Sequence, residues 1–414
     1  MTTPSRDGGS AAGLLQRVDA AVDALDLARR SRELDRVPAF PWSEFREMGR
    51  LGLLGLRTPS ALGGQGLSMP RAALALGRLA YRSGTTFAKL ALQPEFCSIL
   101  GERGSAQQRR TSFRPVCRGE KLIGNHVTEP TAGSDAGAIR TVARPVRAGY
   151  VLSGLKSQAA FAEDAEEAIV YARVPRSRRD PGRITAFLVP QDRSGIRRGA
   201  VADLGERWMR RGSVEYQEVE LPGSARIGKE GEAFDALKRE LTRERLLLAA
   251  IYLGVGRASF DETVAYAGLR STFGRPLAQH ESVGFRLVED WVRLESAQLY
   301  VDRALARHAE GASVVGEAAM AKWLATETSL TAIDHAIQFH GGLGYSSALP
   351  HEQRWRDVRS GSIAHGTSEI MHLVASRSLW PSQGSRASAN PPPNRGVSRG
   401  GGGGRLRPPA GTRR

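Results

Sequence analysis

The sequence predicts an α+β protein in which a β-rich segment separates two helical ones. Three observations predict it. Apolar residues recur at three- and four-residue steps from residue 11 to 125. Strand-like runs bounded by turn residues replace them from 126 to 230. Helical periodicity then returns from 231 to 380. Residues 1–10, rich in Ser and Gly, and 381–414, rich in Pro, Gly and Arg, carry too little apolar surface to order themselves and are expected to be disordered.

Each element follows in order. Leu14, Val18, Val22 and Leu25 share one helical face, and Pro41 suits the first turn of the next helix. LGLLGLRTPSALGGQGLS (51–68) reads as a helix end followed by a Gly-rich loop. YVLSG (150–154), EEAIVYARV (166–174), ITAFLVP (184–190) and YQEVELP (216–222) read as strands. Residues 233–268 lack Pro and read as one long helix. A second covers 317–340, where Met320, Trp323, Leu324, Leu330, Ile333 and Ile337 lie near one stripe, expected to be its core face. Glu327 interrupts that stripe and needs a partner or an exposed edge.

Composition narrows the function. The formal charge is +16 over 414 residues, but seven Arg and no acidic residue lie in 381–414. Elsewhere Arg is scattered among carboxylates, without an aromatic-interleaved basic stripe, so nucleic acid is not expected as a partner. No apolar run reaches eighteen residues, and MTTPSRDGGS has no apolar signal core, so no membrane span or secretion is expected. Cys97 and Cys117 are too few for a disulfide framework, which fits a cytoplasmic location. No zinc-type spacing occurs, and no metal is expected.

Four strings carry the chemistry. VTEPTAGSDAG (127–137) offers backbone N–H groups and the hydroxyls of Thr128, Thr131 and Ser134, suited to a polar cofactor or anion. LRSTFG (269–274), QFHGGLGY (338–345) and IAHGTSEI (363–370) follow it. In this order and at these intervals they resemble the acyl-CoA dehydrogenase family. LGLLGL, GGQGLS, VELP and FGRPLAQHESV extend the similarity from about residue 12 to residue 380.

The resemblance implies an all-α N-terminal domain, a central β-barrel and a C-terminal four-helix bundle. It also implies FAD as cofactor, a homo-oligomer (dimer or tetramer) and an electron-transfer flavoprotein as redox partner. Val127, Thr128, Gly133 and Ser134 match the loop lining the flavin, and Ser134 also the substrate's phosphate region. Arg270 and Phe273 match positions that reach FAD across a subunit interface. Gln338, Gly341 and Gly342 match the turn at the FAD diphosphate, and Thr367 and Glu369 the last FAD contacts. The residue types suit these places: a guanidinium is a planar permanent cation, and Gly lets backbone N–H groups approach phosphate oxygens.

The implied reaction is α,β-dehydrogenation of an acyl thioester, on CoA or an acyl-carrier protein, to the 2,3-enoyl thioester. A carboxylate base takes the α-proton while hydride passes to the flavin. In most of the family that carboxylate is a Glu before the Gly-Thr of the last motif, where this sequence has His365. In the isovaleryl and long-chain types it is a Glu directly before an Arg on the long C-terminal helix, which matches Glu244 and Arg245. Glu244 is therefore the expected base, with Arg245 setting its charge and the thioester's position. His365 is the alternative, its backbone N–H serving the thioester oxygen.

Other positions depart from the family pattern. Gln158 and Ala160 stand where the family has a flavin-stacking aromatic and a hydroxyl, with Phe161 the nearby ring that would substitute. Glu281 and Met209 replace a usual Gln and Ser. Gln158, Ala160 and His365 favour a rival reading, a catalytically degenerate scaffold of the same fold, while a third, a flavin oxidase using oxygen, shares every motif above.

Overall fold

The computed structural model describes residues 10–380, apart from 176, 178, 179 and 181. The disorder expected for 1–9 and for 381–414 lies outside the described residues. Ser10 caps the helix Ala11–Ala24, its hydroxyl accepting the Gly13 N–H at 3.1 Å. That helix buries Leu14, Val18 and Val22, as their spacing predicts. Pro41 stands one residue before the helix Trp42–Arg50 rather than in its first turn, because its ψ of 70° is not helical. Helix Met69–Ser83 completes the larger helices of this part.

The middle part is an eight-stranded sheet: β1 (Ile123–His126), β2 (Val142–Val146), β3 (Gly149–Ala159), β4 (Glu167–Val174), β5 (Arg183–Pro190), β6 (Ile196–Ala200), β7 (Gly212–Pro222) and β8 (Arg226–Ile227). The order is β6-β7-β3-β2-β4-β5-β8, with β1 parallel to β4. The four predicted strands fall in β3, β4, β5 and β7. The others are short, and β2 contains Pro145, so none shows the alternation by which strands are read. Side chains of β4 alternate between two cores. Ile169 and Tyr171 face the helices, while Ala168, Val170 and Ala172 face the interior of the sheet domain.

The long helix spans Ala233–Leu269 and continues one residue beyond its prediction. It joins the three parts. Its first turns bury Ala233, Ala236 and Leu237 with Ile169 and Tyr171. Farther along, Gly254 and Gly256 allow close approach on two sides. A β-carbon at Gly254 would lie 2.3 Å from the Gly77 carbonyl oxygen, and one at Gly256 2.6 Å from the Ser329 hydroxyl.

Helices Glu281–Ala309, Val315–His340 and Ser368–Leu379 complete the C-terminal part. The core face of Val315–His340 differs from the expected one. Ala318, Ala321, Ala325, Ala332 and Ala336 are buried, whereas Met320, Trp323, Leu324, Leu330 and Ile337 are only half-buried, and Ile333 alone of the predicted stripe is fully enclosed. The glycine contacts of the long helix explain this, since helices this close admit only small side chains between them. Glu327 finds its partners in the hydroxyls of Ser362 (3.3 Å) and Ser368 (3.0 Å).

Among the described residues no helix is long and apolar enough to cross a membrane, and no group of three or more His, Cys, Asp and Glu is placed to hold a metal ion.

Candidate functional site

The site begins on the inner face of the long helix. Glu240, Glu244 and Leu248 are four residues apart, so one helical face carries two carboxyls at its start and Leu thereafter. Glu244 is 2 % exposed and Glu240 1 %. Glu244 Oε1 has no hydrogen-bond partner in the protein, and the Glu240 carboxyl has the Tyr171 hydroxyl beside it. Buried polar atoms are nearly always paired, so the unpaired Glu244 oxygen marks a place made for something beyond the chain. Burial first, then the charge of Glu95, lifts the Glu244 carboxyl to about 8, against Arg243 and Arg245. Burial and the charge of Glu244 hold Glu240 well above the carboxylate range.

His365 completes the centre. Its Nε2 lies 3.4 Å from Glu244 Oε2. Its ring stacks on Phe96, centroids 5.5 Å apart and planes at 27°. Arg245 Nε donates to the His365 carbonyl at 3.0 Å, and Lys322 Nζ to the next carbonyl, Gly366, at 2.8 Å. Arg245 thus acts on Glu244 through its charge and on the last motif through its bond. His365 has φ 57°, a left-handed conformation costly for a residue with a β-carbon, and these bonds help to maintain it. Its backbone N–H donates to no described residue. Burial, with the charges of Lys89, Lys322 and Arg245, holds the imidazole well below its usual value, so the ring is neutral at rest.

The opening loop is stapled from below. Glu129 accepts from Arg140 N (2.6 Å), Thr141 N (2.9 Å), the Thr141 hydroxyl (2.6 Å) and Lys156 Nζ (2.9 Å). Lys156, fully buried, also donates to the Val127 carbonyl at 2.9 Å, and Ser157 N to the Thr128 carbonyl at 2.9 Å. These bonds leave the Thr128 hydroxyl without a described partner and the Gly133–Ser134 tip exposed. Gln158 sits in a bulge of β3, with φ 52°, and is exposed. Phe161 does not replace the missing ring. It is buried edge-on against Phe40 (5.5 Å) and beside Trp208 (5.7 Å), between the helical part and the sheet.

The remaining expected residues lie outward. Arg270 is exposed at the C-cap of the long helix, and Phe273, 98 % exposed, tips the small hairpin Ser271–Thr272 with Arg275–Pro276. Gln338 is exposed in its helix's last turn, which Gly341 ends at φ 60°; open space lies beyond the α-carbons of Gly341, Gly342 and Gly133. Thr367 caps the last helix, its hydroxyl accepting the Ile370 N–H at 3.3 Å, and Glu369 is exposed in the first turn. Glu281 is exposed at the start of its helix, and the Met209 carbonyl accepts the Phe161 N–H. Among the described residues no bond joins Arg270, Phe273 or Gln338 to the Glu244 centre. The open glycines, the free guanidinium and the unpaired Thr128 hydroxyl suit a dinucleotide bearing a diphosphate. Gln158 and Ala160 provide neither a stacking ring nor a hydroxyl.

Sequence reasoning missed Glu240, Phe96, Lys322 and the Glu129–Lys156 staple. Glu240 alone had a signal, its four-residue spacing from Glu244 on a face otherwise made of Leu and Ala.

Comparison with known proteins gives matches along the chain. Residues 13–120, 124–219 and 231–380 match the N-terminal, middle and C-terminal domains of acyl-CoA dehydrogenase. The mouse short-chain specific acyl-CoA dehydrogenase is 35 % identical over 352 residues, 84 % of this chain and 85 % of that protein. Butyryl-CoA dehydrogenase from Megasphaera elsdenii superposes with a TM-score of 0.83 at 26 % identity, over 92 % of this chain and 100 % of that one. A prolyl acyl carrier protein oxidase superposes at 0.82 with 25 % identity, over 89 % and 98 %.

Proposed function

Because the chain belongs to the acyl-CoA dehydrogenase family, we propose that Glu244 is the base of its reaction. The protein is an oxidoreductase acting on CH–CH bonds, a flavoprotein that dehydrogenates acyl thioesters at the α,β position with FAD. Bound FAD supplies the acceptor for the hydride that leaves the β-carbon. The observation that carries the role of Glu244 is its buried, unpaired Oε1, beside the motif where the family usually keeps the carboxylate.

The chain's own residues divide the remaining work. Glu244 takes the α-proton, and its burial makes its carboxylate a stronger base than an exposed one. The unpaired His365 N–H meets the negative charge that develops on the thioester oxygen. Arg245 holds that N–H in place through the His365 carbonyl and offsets the charge of Glu244. The glycine turns, Thr128, Ser134, Arg270, Phe273, Gln338, Thr367 and Glu369 hold the dinucleotide, with Arg270 and Phe273 extended toward a second copy.

A degenerate scaffold is not favoured, since an inert fold has no need of an unpaired buried carboxyl at this place. The acyl carrier is CoA or an acyl-carrier protein, the latter supported by the likeness to the prolyl acyl carrier protein oxidase. An electron-transfer flavoprotein as acceptor, a homo-oligomeric state and a cytoplasmic location complete the reading. Glu244→Gln tests it: FAD should stay bound, while reductive bleaching by an acyl thioester such as butyryl-CoA slows by about 10²–10⁴-fold. Bleaching at the wild-type rate would move the base elsewhere.

A further inference from the structure

A carboxyl buried like that of Glu244 holds its own proton at rest and must lose it before it can take another. Solvent barely reaches it, for its side chain is 3 % exposed. The neighbouring His365 side chain is 23 % exposed. Among the described residues it is the only cation-capable side chain within 4.0 Å of the Glu244 carboxyl. We propose that His365 is the proton partner of Glu244, a positioning residue whose Nε2 draws the resting proton off the carboxyl so that the carboxylate can act. This rests on the reading of Glu244 as base.

The geometry is held from three sides. Phe96 fixes the ring plane, Arg245 fixes the His365 carbonyl and Lys322 the Gly366 carbonyl. Nδ1 is buried and bonded to no described protein group. The transfer is internal and balanced. The Glu244 O–H breaks, an Nε2–H forms, and a carboxylate–imidazolium pair results. When the carboxylate takes the α-proton its O–H re-forms, and the C–H electron pair stays with the acyl group. The pair then holds one proton more than at rest, and the imidazolium releases it to water.

The surroundings favour passage over storage. Lys89, Lys322 and Arg245 face the imidazole and disfavour a lasting charge on it. Glu95, Glu240 and Arg243 act on the carboxyl side, with Cys97 and Tyr171 close behind. No replacement for His365 that lacks a titratable nitrogen can do this, however well it fills the space.

His365→Gln keeps a hydrogen-bonding side chain but carries no proton, and His365→Ala empties the place. Both variants should bind FAD. With butyryl-CoA, their reductive bleaching should fall about tenfold at pH 7 and regain the wild-type rate on the alkaline side, moving the acid limb of the pH profile up by about one unit. Imidazole in the buffer should restore part of the rate of His365→Ala. The protonated-carboxyl infrared band that Glu244→Gln removes should titrate at the same pH in His365→Gln as in the wild type, because the wild-type imidazole is neutral at rest. An unmoved acid limb, a loss equal at every pH, or an infrared titration displaced in His365→Gln would each overturn the proposal. If Glu244→Gln abolishes bleaching while His365→Gln leaves the limb in place, the base stands and the relay falls. If bleaching survives in Glu244→Gln, the reading of the base itself has failed.

Discussion

Glu240 is the residue whose energetics are most one-sided. Its carboxyl is enclosed, has no cation paired to it among the described residues, and is held well above its ordinary value by burial and by Glu244. A carboxyl raised on folding takes up a proton, so its folded form is least penalised at or below its unfolded value, and stability declines as pH rises above that. The decline is about 1.4 kcal/mol per pH unit while the folded carboxyl keeps its proton. Glu240→Gln removes it. The melting midpoint of this variant should exceed that of the wild type at pH 8 and approach it near pH 5, measured by scanning calorimetry. An equal difference at both pH values would show that the carboxyl does not change its proton on folding. Position 240 also measures what the sequence conveyed. KRELTRER displays two Glu at helical spacing, but among so many Arg both resemble a solvated face. Only the sheet packed over that face, with Tyr171 against the helix's first turns, converts them into buried groups.

The long helix carries its information in its glycines. Gly256 approaches Ser329 so closely that a β-carbon would lie 2.6 Å from the hydroxyl, whereas nothing lies within 4 Å of a β-carbon at Gly268. The same substitution should therefore have opposite signs on one helix. Gly256→Ala should destabilise by about 1–3 kcal/mol through overpacking. Gly268→Ala should stabilise by up to about 1 kcal/mol through helix propensity. Urea midpoints compare them, and two effects of one sign would refute the packing account. Helix–helix closeness is also why the stripe read in 317–340 was not the core face. Periodicity finds large apolar residues, but the buried surface here is mainly Ala, Thr and Ser, whose small size is the reason for their burial. The existence and length of both long helices were legible because they repeat over many turns. The short strands β1, β2, β6 and β8 were not, because pairing with neighbours rather than local pattern makes them strands.

Over the whole molecule, a buried polar knot joins the three parts. Lys89 pairs with Glu206, and its ammonium lies 5.1 Å from the Tyr252 ring centre. Asp357 accepts from the Thr85 hydroxyl (2.9 Å) and from Glu206 N (2.6 Å), and burial lifts its carboxyl to about 7. The outer face of Glu281–Ala309 has a different character: Phe285, Val288, Val292 and Leu299 recur at helical spacing and remain exposed, with Trp291 beside them. Such a stripe is expected against a second copy. Sedimentation should find an oligomer, and Phe285→Glu with Trp291→Glu should reduce its mass; a monomeric wild type would refute this. By itself the sequence determined the family and the α+β order, and singled out Glu244 and Arg245 as candidates, since motif order and long periodicities are local properties of the chain. The tertiary structure decided which groups lose their water. It placed His365 against Glu244 across 121 positions of sequence, enclosed Glu240 and assigned Phe161 to the core, because desolvation and unpaired hydrogen bonds exist only once distant segments close over one another.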